Sequence, residues 1–233
     1  MLYTEQNVRD NIRNREGKRV FFLAEGDRLT PGARDFLSRE RVEIRPAAEA
    51  KIETYQLLGG GYVTEKPEHL THLHGNVLVE KTHPRIAFRG KVDTLEAELL
   101  LCQRKVSPEI RRDLGEILSL ARHLIRCDVL NEPVKQETLC GLDEKQLRQR
   151  SHFPQDYYGQ PHFMPGDTDG EEILQLNRAR CAAREAELAA VAAFADREGN
   201  PTRTDILQAM NRMSSMLWIL MIRMKKEREN HEQ

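Results

Sequence analysis

Residues 71–103, THLHGNVLVEKTHPRIAFRGKVDTLEAELLLCQ, gather side chains that bind charged ligands ahead of an apolar-striped helix. His72, His74, Asn76, Lys81, His83, Arg85, Arg89 and Lys91 form a polar cradle. Such a cradle presents cationic side chains and backbone N–H groups to oxyanions. Lys81 precedes Pro84-Arg85-Ile86, which sets it on an extended or turn segment. From there an ammonium reaches phosphate as a point charge; on spacing alone, a surface lysine fits as well. His69, His72, His74 and His83 lie close enough in sequence to ligate zinc or iron. No closed pattern with cysteine accompanies them, so hydrogen bonding to phosphate or backbone is the preferred reading.

Two further constellations lie toward the C-terminus. Arg178, Cys181 and Glu185 share one helix face, with Leu174 and Leu188 at its ends. Charges on a packing face are costly unless paired or liganded, so this is an inter-helix salt bridge, a site, or both. Asn211-Arg212-Met213-Ser214-Ser215 borders an apolar stripe. Polar residues there satisfy a neighbouring helix or, less often, a ligand. Gly59-Gly60-Gly61 lacks the Gly-Lys-Ser/Thr of a P-loop and reads as a flexible connection. No Ser-His-Asp or Cys-His arrangement can be argued.

The elements that must position these groups follow from periodicity and caps. Residues 19–45 read as a compact unit: a strand at Arg19–Leu23, a helix opened by Thr30-Pro31, and a second strand at Val42–Ile44. A small docking or oligomerisation piece without chemistry fits this pattern. From about Asp93 the pattern is helical, with Val92, Leu95, Leu99 and Cys102 in step. Ser107-Pro108-Glu109 opens a helix with Ile110, Leu114, Ile117, Leu118, Ala121, Leu124 and Ile125 on one side. Residues 131–170 are irregular, with at most a short helix after Asp143. Two long helices follow, from about Gly170 to Arg197 and from near Thr202, where Asp205 serves as an acidic relative of the capping box. Four substantial helices in up-down order make a bundle. The expected division is a small N-terminal appendage over 1–48, a linker and ligand-binding loop over 49–80, and a helical domain over 81–230.

Composition narrows the class. The 233 residues suit one medium domain, or one domain with an appendage. A net charge of −1, with both signs interspersed, offers no general basic field for nucleic acid. The most apolar stretch, Met216–Met224, is far too short to span a bilayer. Met1-Leu2-Tyr3 leads at once into charged residues, and the four cysteines are scattered. We therefore expect a soluble cytoplasmic protein with reduced thiols.

These pieces, in this order, resemble the ATP:cob(I)alamin adenosyltransferases, above all the ethanolamine-utilisation type. Lys81-Thr-His-Pro-Arg-Ile86 is similar to the Lys-Asp-Asp-Pro-x-Ile segment of the more distant propanediol-utilisation type. Gly90-Lys-Val-Asp-Thr-Leu-Glu96 resembles its Gly-x-x-Asp-Glu-Leu-Asn helix start. Arg178-Ala-Arg-Cys-Ala-Ala-Arg-Glu185 resembles Arg-x-x-Cys-Arg-Arg-Ala-Glu, and Asn211-Arg-Met-Ser-Ser215 resembles Asn-Arg-Leu-Ser-Asp. Against the ethanolamine type the likeness covers nearly the whole chain, including Asp27–Arg34, Cys140–Glu144 and Asp205–Ser215.

The resemblance implies an all-α, five-helix up-down bundle with a small N-terminal α/β appendage, assembled as a homo-oligomer, a trimer in the first instance. ATP, its Mg²⁺ and cobalamin would bind between subunits. Lys81, Arg178, Glu185 and Asn211 would then surround ATP, with Asp93 supporting the interface, and Arg85, Arg89, His72, His74 and Asn76 of the cradle are further cofactor-binding candidates. Leu124, Phe153 and Phe163 would line the corrinoid site, and Tyr157 is a further candidate for that wall. Departures are Ala182 and Ala183 in place of two arginines, and Ser215 in place of an aspartate. Structural zinc or iron is not carried over, because the metal-binding cysteine motif of many relatives is missing ahead of the cradle. A reductase, an ethanolamine ammonia-lyase and a bacterial microcompartment are the implied company. A corrinoid chaperone and a non-catalytic helical scaffold are the rival readings.

Overall fold

A computed structural model describes residues 1–15, 17–49 and 54–231. The chain divides into two units, Met1–Tyr55 with Tyr62–Glu65, and Gln56–Gly61 with Lys66–Gln233.

In the first unit, β1 (Leu2–Tyr3) is followed by α1 (Glu5–Asn11), capped by a reciprocal Thr4–Asn7 box. Strands β2 (Arg13–Arg15) and β3 (Lys18–Leu23) pair antiparallel. Next come β4 (Arg28–Leu29), parallel to β1, and α2 (Pro31–Arg39), with Thr30 at N-cap and Pro31 inside the first turn. The chain then returns as β5 (Glu43–Pro46), parallel to β3. A parallel return needs a crossover, and α2 supplies it. Val8, Phe21, Ala33, Phe36, Leu37 and Val42 close a separate small core. The strand–helix–strand order is the one predicted from Arg19–Leu23, Thr30-Pro31 and Val42–Ile44.

The second unit is mostly helical but not all-α, which corrects the fold-class expectation. Gln56 and Leu57 of β6 (Tyr55–Leu57) pair parallel with a later strand, while β7 (Tyr62–Val63) belongs to the first unit. Residues 70–80, expected as loop, form the hairpin β8 (Leu70–His74) and β9 (Val77–Glu80). An irregular burial pattern explains the miss: Leu70, Leu73, Leu78 and Val79 are buried while His72 and His74 are exposed, and a register shift between His72 and His74 breaks the period-2 signal of a strand. Residues 50–53 of the expected linker lie outside the described residues.

Four long helices carry the main core: α3 (Pro84–Cys102), α4 (Pro108–Leu130), α7 (Glu171–Ala193) and α8 (Thr204–His231). Between α4 and α7 lie the hairpin β10 (Thr138–Leu139) and β11 (Leu142–Asp143), then α5 (Glu144–His152) and α6 (Pro154–Tyr158). Helix α3 packs on α4 and α7, α8 packs on α7 and α4, and α5 lies against α8. Ala179, Ala182, Ala183, Ala186 and Ala190 form the buried face of α7. Alanines bring helix axes close, which suits the extensive α3–α7 and α7–α8 seams. Leu95, Leu99, Leu114, Ile117, Leu176, Met213 and Leu217 fill the space between.

Helix α3 starts nine residues before the predicted Asp93, at Pro84. His83 is its N-cap and Pro84 its first residue, so the proline that keeps Lys81 off a helix also opens one. Helix α8 starts at Thr204, and Asp205 does not act as the expected box residue. Its carboxylate accepts from the Val134 N–H at 2.9 Å and from the Arg203 guanidinium at 2.9 Å, pinning the 131–134 loop to the base of α8. The Arg203 hydrogen bonds hold the Asp205 carboxyl down to about 2.

Candidate functional site

The polar cradle sorts into groups that build the site and groups left to use it. Arg85 Nε donates to Asp128 Oδ1 at 2.7 Å, and Arg89 Nε donates to Asp128 Oδ2 at 2.7 Å. Asp128, on α4, is fully buried. Arg85 also reaches the Asp128 carbonyl, and Arg89 reaches the carbonyls of Leu73 and His72. The two arginines are one turn apart on α3, so one carboxylate receives both. In this structure they brace α3, α4 and β8 against one another.

His83 caps α3, its Nδ1 accepting from the Arg85 N–H at 3.2 Å. Partial burial, then the nearby Arg85 and Arg89 charges, hold its pKa below the ordinary imidazole value. A neutral ring is what an accepting cap requires. The His72 ring meets the Gly75 carbonyl at 3.1 Å, and Asn76 offers its carbonyl to the Gln56 N–H. His74 is exposed. Among the described residues, no three His, Cys, Asp or Glu side chains come together in a geometry fit for a metal ion.

Lys81 is exposed just beyond β9, its N–H on the His69 carbonyl, and its ammonium meets no carboxylate among the described residues. Next to it, Thr82 and His83 line a cleft of about 650 Å³ with His69, Gly59 and Gly60. Asp93 is exposed one turn past Arg89 on α3.

Helix α7 has two polar flanks. On one, Arg178 pairs with Glu98 at 2.8 Å and Glu185 pairs with Lys91 at 2.8 Å, both partners on α3. Arg178 and Glu185 are thus inter-helix ion pairs, largely exposed. On the other flank, Asn177, Arg180 and Arg184 face α8. Residues two apart on a helix stand about 200° apart, so Arg178 and Arg180 point to opposite sides.

The α8 flank opens into a groove of about 550 Å³. Asn211, Ser214 and Ser215 line it from α8, and the 159–166 segment supplies His162 and Phe163. Trp218 stacks against the Phe163 ring at 5.5 Å and the His162 ring at 5.6 Å, while the Arg180 guanidinium lies 5.6 Å over its face. Asn211 Nδ2 donates to Glu187 at 3.1 Å. Phe153, at 59 % exposure, stands on the surface, as does Tyr157. Leu124 is sealed in the core at 0 % exposure and has no face to offer a corrinoid, which corrects that expectation. Trp218, Arg180 and Arg184 were not singled out in sequence. Their signals were a lone tryptophan within the apolar stripe of α8 and an arginine pair at an i, i+4 step.

Within the second unit, then, a mostly helical core presents a polar hairpin edge and two polar flanks of α7. A model of the cobalamin adenosyltransferase family matches residues 61–224, and the chain belongs to that family. It is similar to the corrinoid adenosyltransferase EutT of Salmonella typhimurium, with 30 % identity covering 94 % of this chain and 90 % of the relative. The corrinoid adenosyltransferase EutT of Escherichia coli K12 is 29 % identical over the same shares. Among the described residues, no helix is long and apolar enough to cross a membrane.

Proposed function

We propose that this protein transfers the 5′-deoxyadenosyl group of ATP to cob(I)alamin, giving adenosylcobalamin and triphosphate. The observation that carries the reading is the family match over residues 61–224. Co(I) attacks the ribose 5′ carbon. The Co–C bond forms, the C5′–O bond breaks, and the electron pair leaves with triphosphate. The cobalt goes from Co(I) to Co(III), and no protein base is needed. The protein's work is to align the two substrates, exclude water and stabilise the leaving polyanion, with Mg²⁺ accompanying it.

Lys81, Arg178, Glu185, Asp93 and Asn211 are assigned to the ATP side, and Phe153 and Phe163 to the corrinoid side. Asn211 and Arg178 lie on opposite flanks of α7, so one protomer cannot bring both to one ligand. A site shared between copies resolves this, and it supports a homo-oligomer, a trimer in the first instance. Leu174 and Leu188, at 38 % and 71 % exposure, flank the exposed Cys181 at seven-residue steps along α7. That is the seam a second copy of the chain would cover. The four long helices, with the short α5 against α8, are the part of the fold that supports a bundle reading.

The relatives' EutT type supports a place in ethanolamine utilisation, with an ethanolamine ammonia-lyase as consumer, a reductase as supplier of Co(I), and a cytoplasmic or microcompartment setting. The chaperone rival drew on Ala182 and Ala183. Both lie on the buried face of α7, where an arginine has no access to a ligand, so their identity does not argue against catalysis.

The test is to supply ATP, Mg²⁺ and chemically reduced cobalamin and follow the absorbance spectrum. Adenosylcobalamin formation supports the enzyme. Corrinoid binding without product means a chaperone, and neither means a scaffold.

A further inference from the structure

Resting on the adenosyl-transfer reading, we propose that Arg180 and Arg184 bind the triphosphate of ATP in the groove between α7 and α8. Several arginines of the second unit end on acids. Arg85 and Arg89 meet Asp128, Arg122 meets Glu96, Arg178 meets Glu98, and Arg223 meets Asp113 and Glu109. Arg180 and Arg184 break this pattern. Arg180 donates to the Asn177 amide oxygen at 2.9 Å and covers the Trp218 ring. Arg184 is exposed and meets no carboxylate among the described residues. No aspartate or glutamate lines the groove among the described residues.

Neutral polar groups complete the lining, although the Ser214 hydroxyl donates to the Asn211 carbonyl and Asn211 Nδ2 donates to Glu187. The Asn177 amide oxygen faces Arg180, which leaves its N–H₂ for a ligand. Asn211 and the hydroxyl-bearing Ser214 and Ser215 stand across from it on α8. Two cations one helical turn apart, with amides and hydroxyls around them, match the spaced oxygens of a polyphosphate. The volume, about 550 Å³, suits several phosphate groups.

The arrangement also accounts for the absent arginines at Ala182 and Ala183. Those positions face the core, at 9 % and 0 % exposure, whereas positions 180 and 184 face the groove. Positive charge on this helix is carried where a ligand can reach it. When the C5′–O bond breaks, the electron pair falls on triphosphate, and guanidinium groups fixed beside it stabilise that charge without reorganising.

Binding of inorganic tripolyphosphate to the full-length protein, by titration calorimetry, tests the proposal. Arg184→Gln and Arg180→Gln are each expected to weaken binding about ten- to hundredfold. Arg197→Gln, in the turn between α7 and α8, serves as the charge-matched control and is expected to change it less than twofold. Arg184 is exposed, so its variant tests the idea even where loss of the Arg180–Trp218 contact disturbs folding. Unaltered affinity in folded Arg184→Gln, or no tripolyphosphate binding by the wild type, overturns the proposal. The adenosylation assay is scored separately. Product formed with unaltered tripolyphosphate affinity in the variants sinks the arginine assignment alone. Arginine-dependent binding without product sinks the adenosyl-transfer reading alone.

Discussion

Asp128 is the residue on which the geometry of the cradle most depends. It is fully buried, and its two oxygens hold Arg85 and Arg89, each at 2.7 Å. The arginine side chains are 21 % and 15 % exposed, so little water reaches the pair. In Asp128→Ala two largely buried guanidinium groups lose their counter-charge, a change that costs about 3–5 kcal/mol. Their residual exposure allows partial rehydration, so we expect the lower end, about 3 kcal/mol. For a protein of this size that is a drop of roughly 6–12 °C in Tm. Trp218 is the sole tryptophan and lies in the second unit, so its fluorescence reports that unit's unfolding in urea. The companion variant Arg85→Met/Arg89→Met/Asp128→Leu removes all three charges and should recover most of the loss. If Asp128→Ala unfolds within about 1 kcal/mol of wild type, or if the triple variant is the less stable of the two, the bracket is not what braces α3 to α4 and β8.

Other consequences are as direct. His83 is held neutral in the fold, its pKa below the unfolded imidazole value. Its contribution is therefore full above about pH 6.5 and is lost as pH falls through the lower, folded pKa. His83→Asn, a neutral cap, should remove that component from a urea-stability profile taken between pH 7.5 and 5; an unaltered profile would contradict the capping role. Burial pushes the Cys102 thiol up to about 12 and raises Cys127 and Cys140, while Cys181 is exposed. An aromatic disulfide reagent at neutral pH should modify one thiol, Cys181, in the dissociated Leu174→Glu/Leu188→Glu variant, label it slowly in the assembled protein, and modify four in urea; rapid labelling of two or more thiols in the folded variant would refute the assigned burial. Leu174→Glu/Leu188→Glu should reduce the assembled mass measured by light scattering and lower activity without unfolding the chain. An unchanged mass would remove the α7 seam as the contact between copies.

The first unit was legible because its signals are local. Thr30-Pro31 is a cap and first-turn pair, and the strands beside it are short apolar runs. The α4 helix was legible for the same reason, from Ser107-Pro108 and an unbroken stripe from Ile110 to Leu124. The early part of α3 was not, because Gly90 and the charges Arg85, Arg89 and Lys91 mask its period. Their roles come from Asp128 and Glu185, about 40 and 94 positions away in sequence. The same limit applies to the groove. That Ala182 faces the core while Arg180 and Arg184 face α8 depends on which side of α7 the partner helices occupy. Motif likeness pointed to Arg178 and Glu185, and no periodicity argument ranks them against Arg180 and Arg184 on the same helix. Leu124 shows the converse error: a position matched in register, but carried by a side chain with no exposed surface.

The most direct measurement is a single turnover under anaerobic conditions. The protein, in excess over chemically reduced cobalamin, is mixed with ATP and Mg²⁺, and both products are quantified. Direct displacement at the 5′ carbon predicts adenosylcobalamin and intact triphosphate in equal amounts. Loss of Co(I) without adenosylcobalamin, or release of phosphate and pyrophosphate in place of triphosphate, would contradict it.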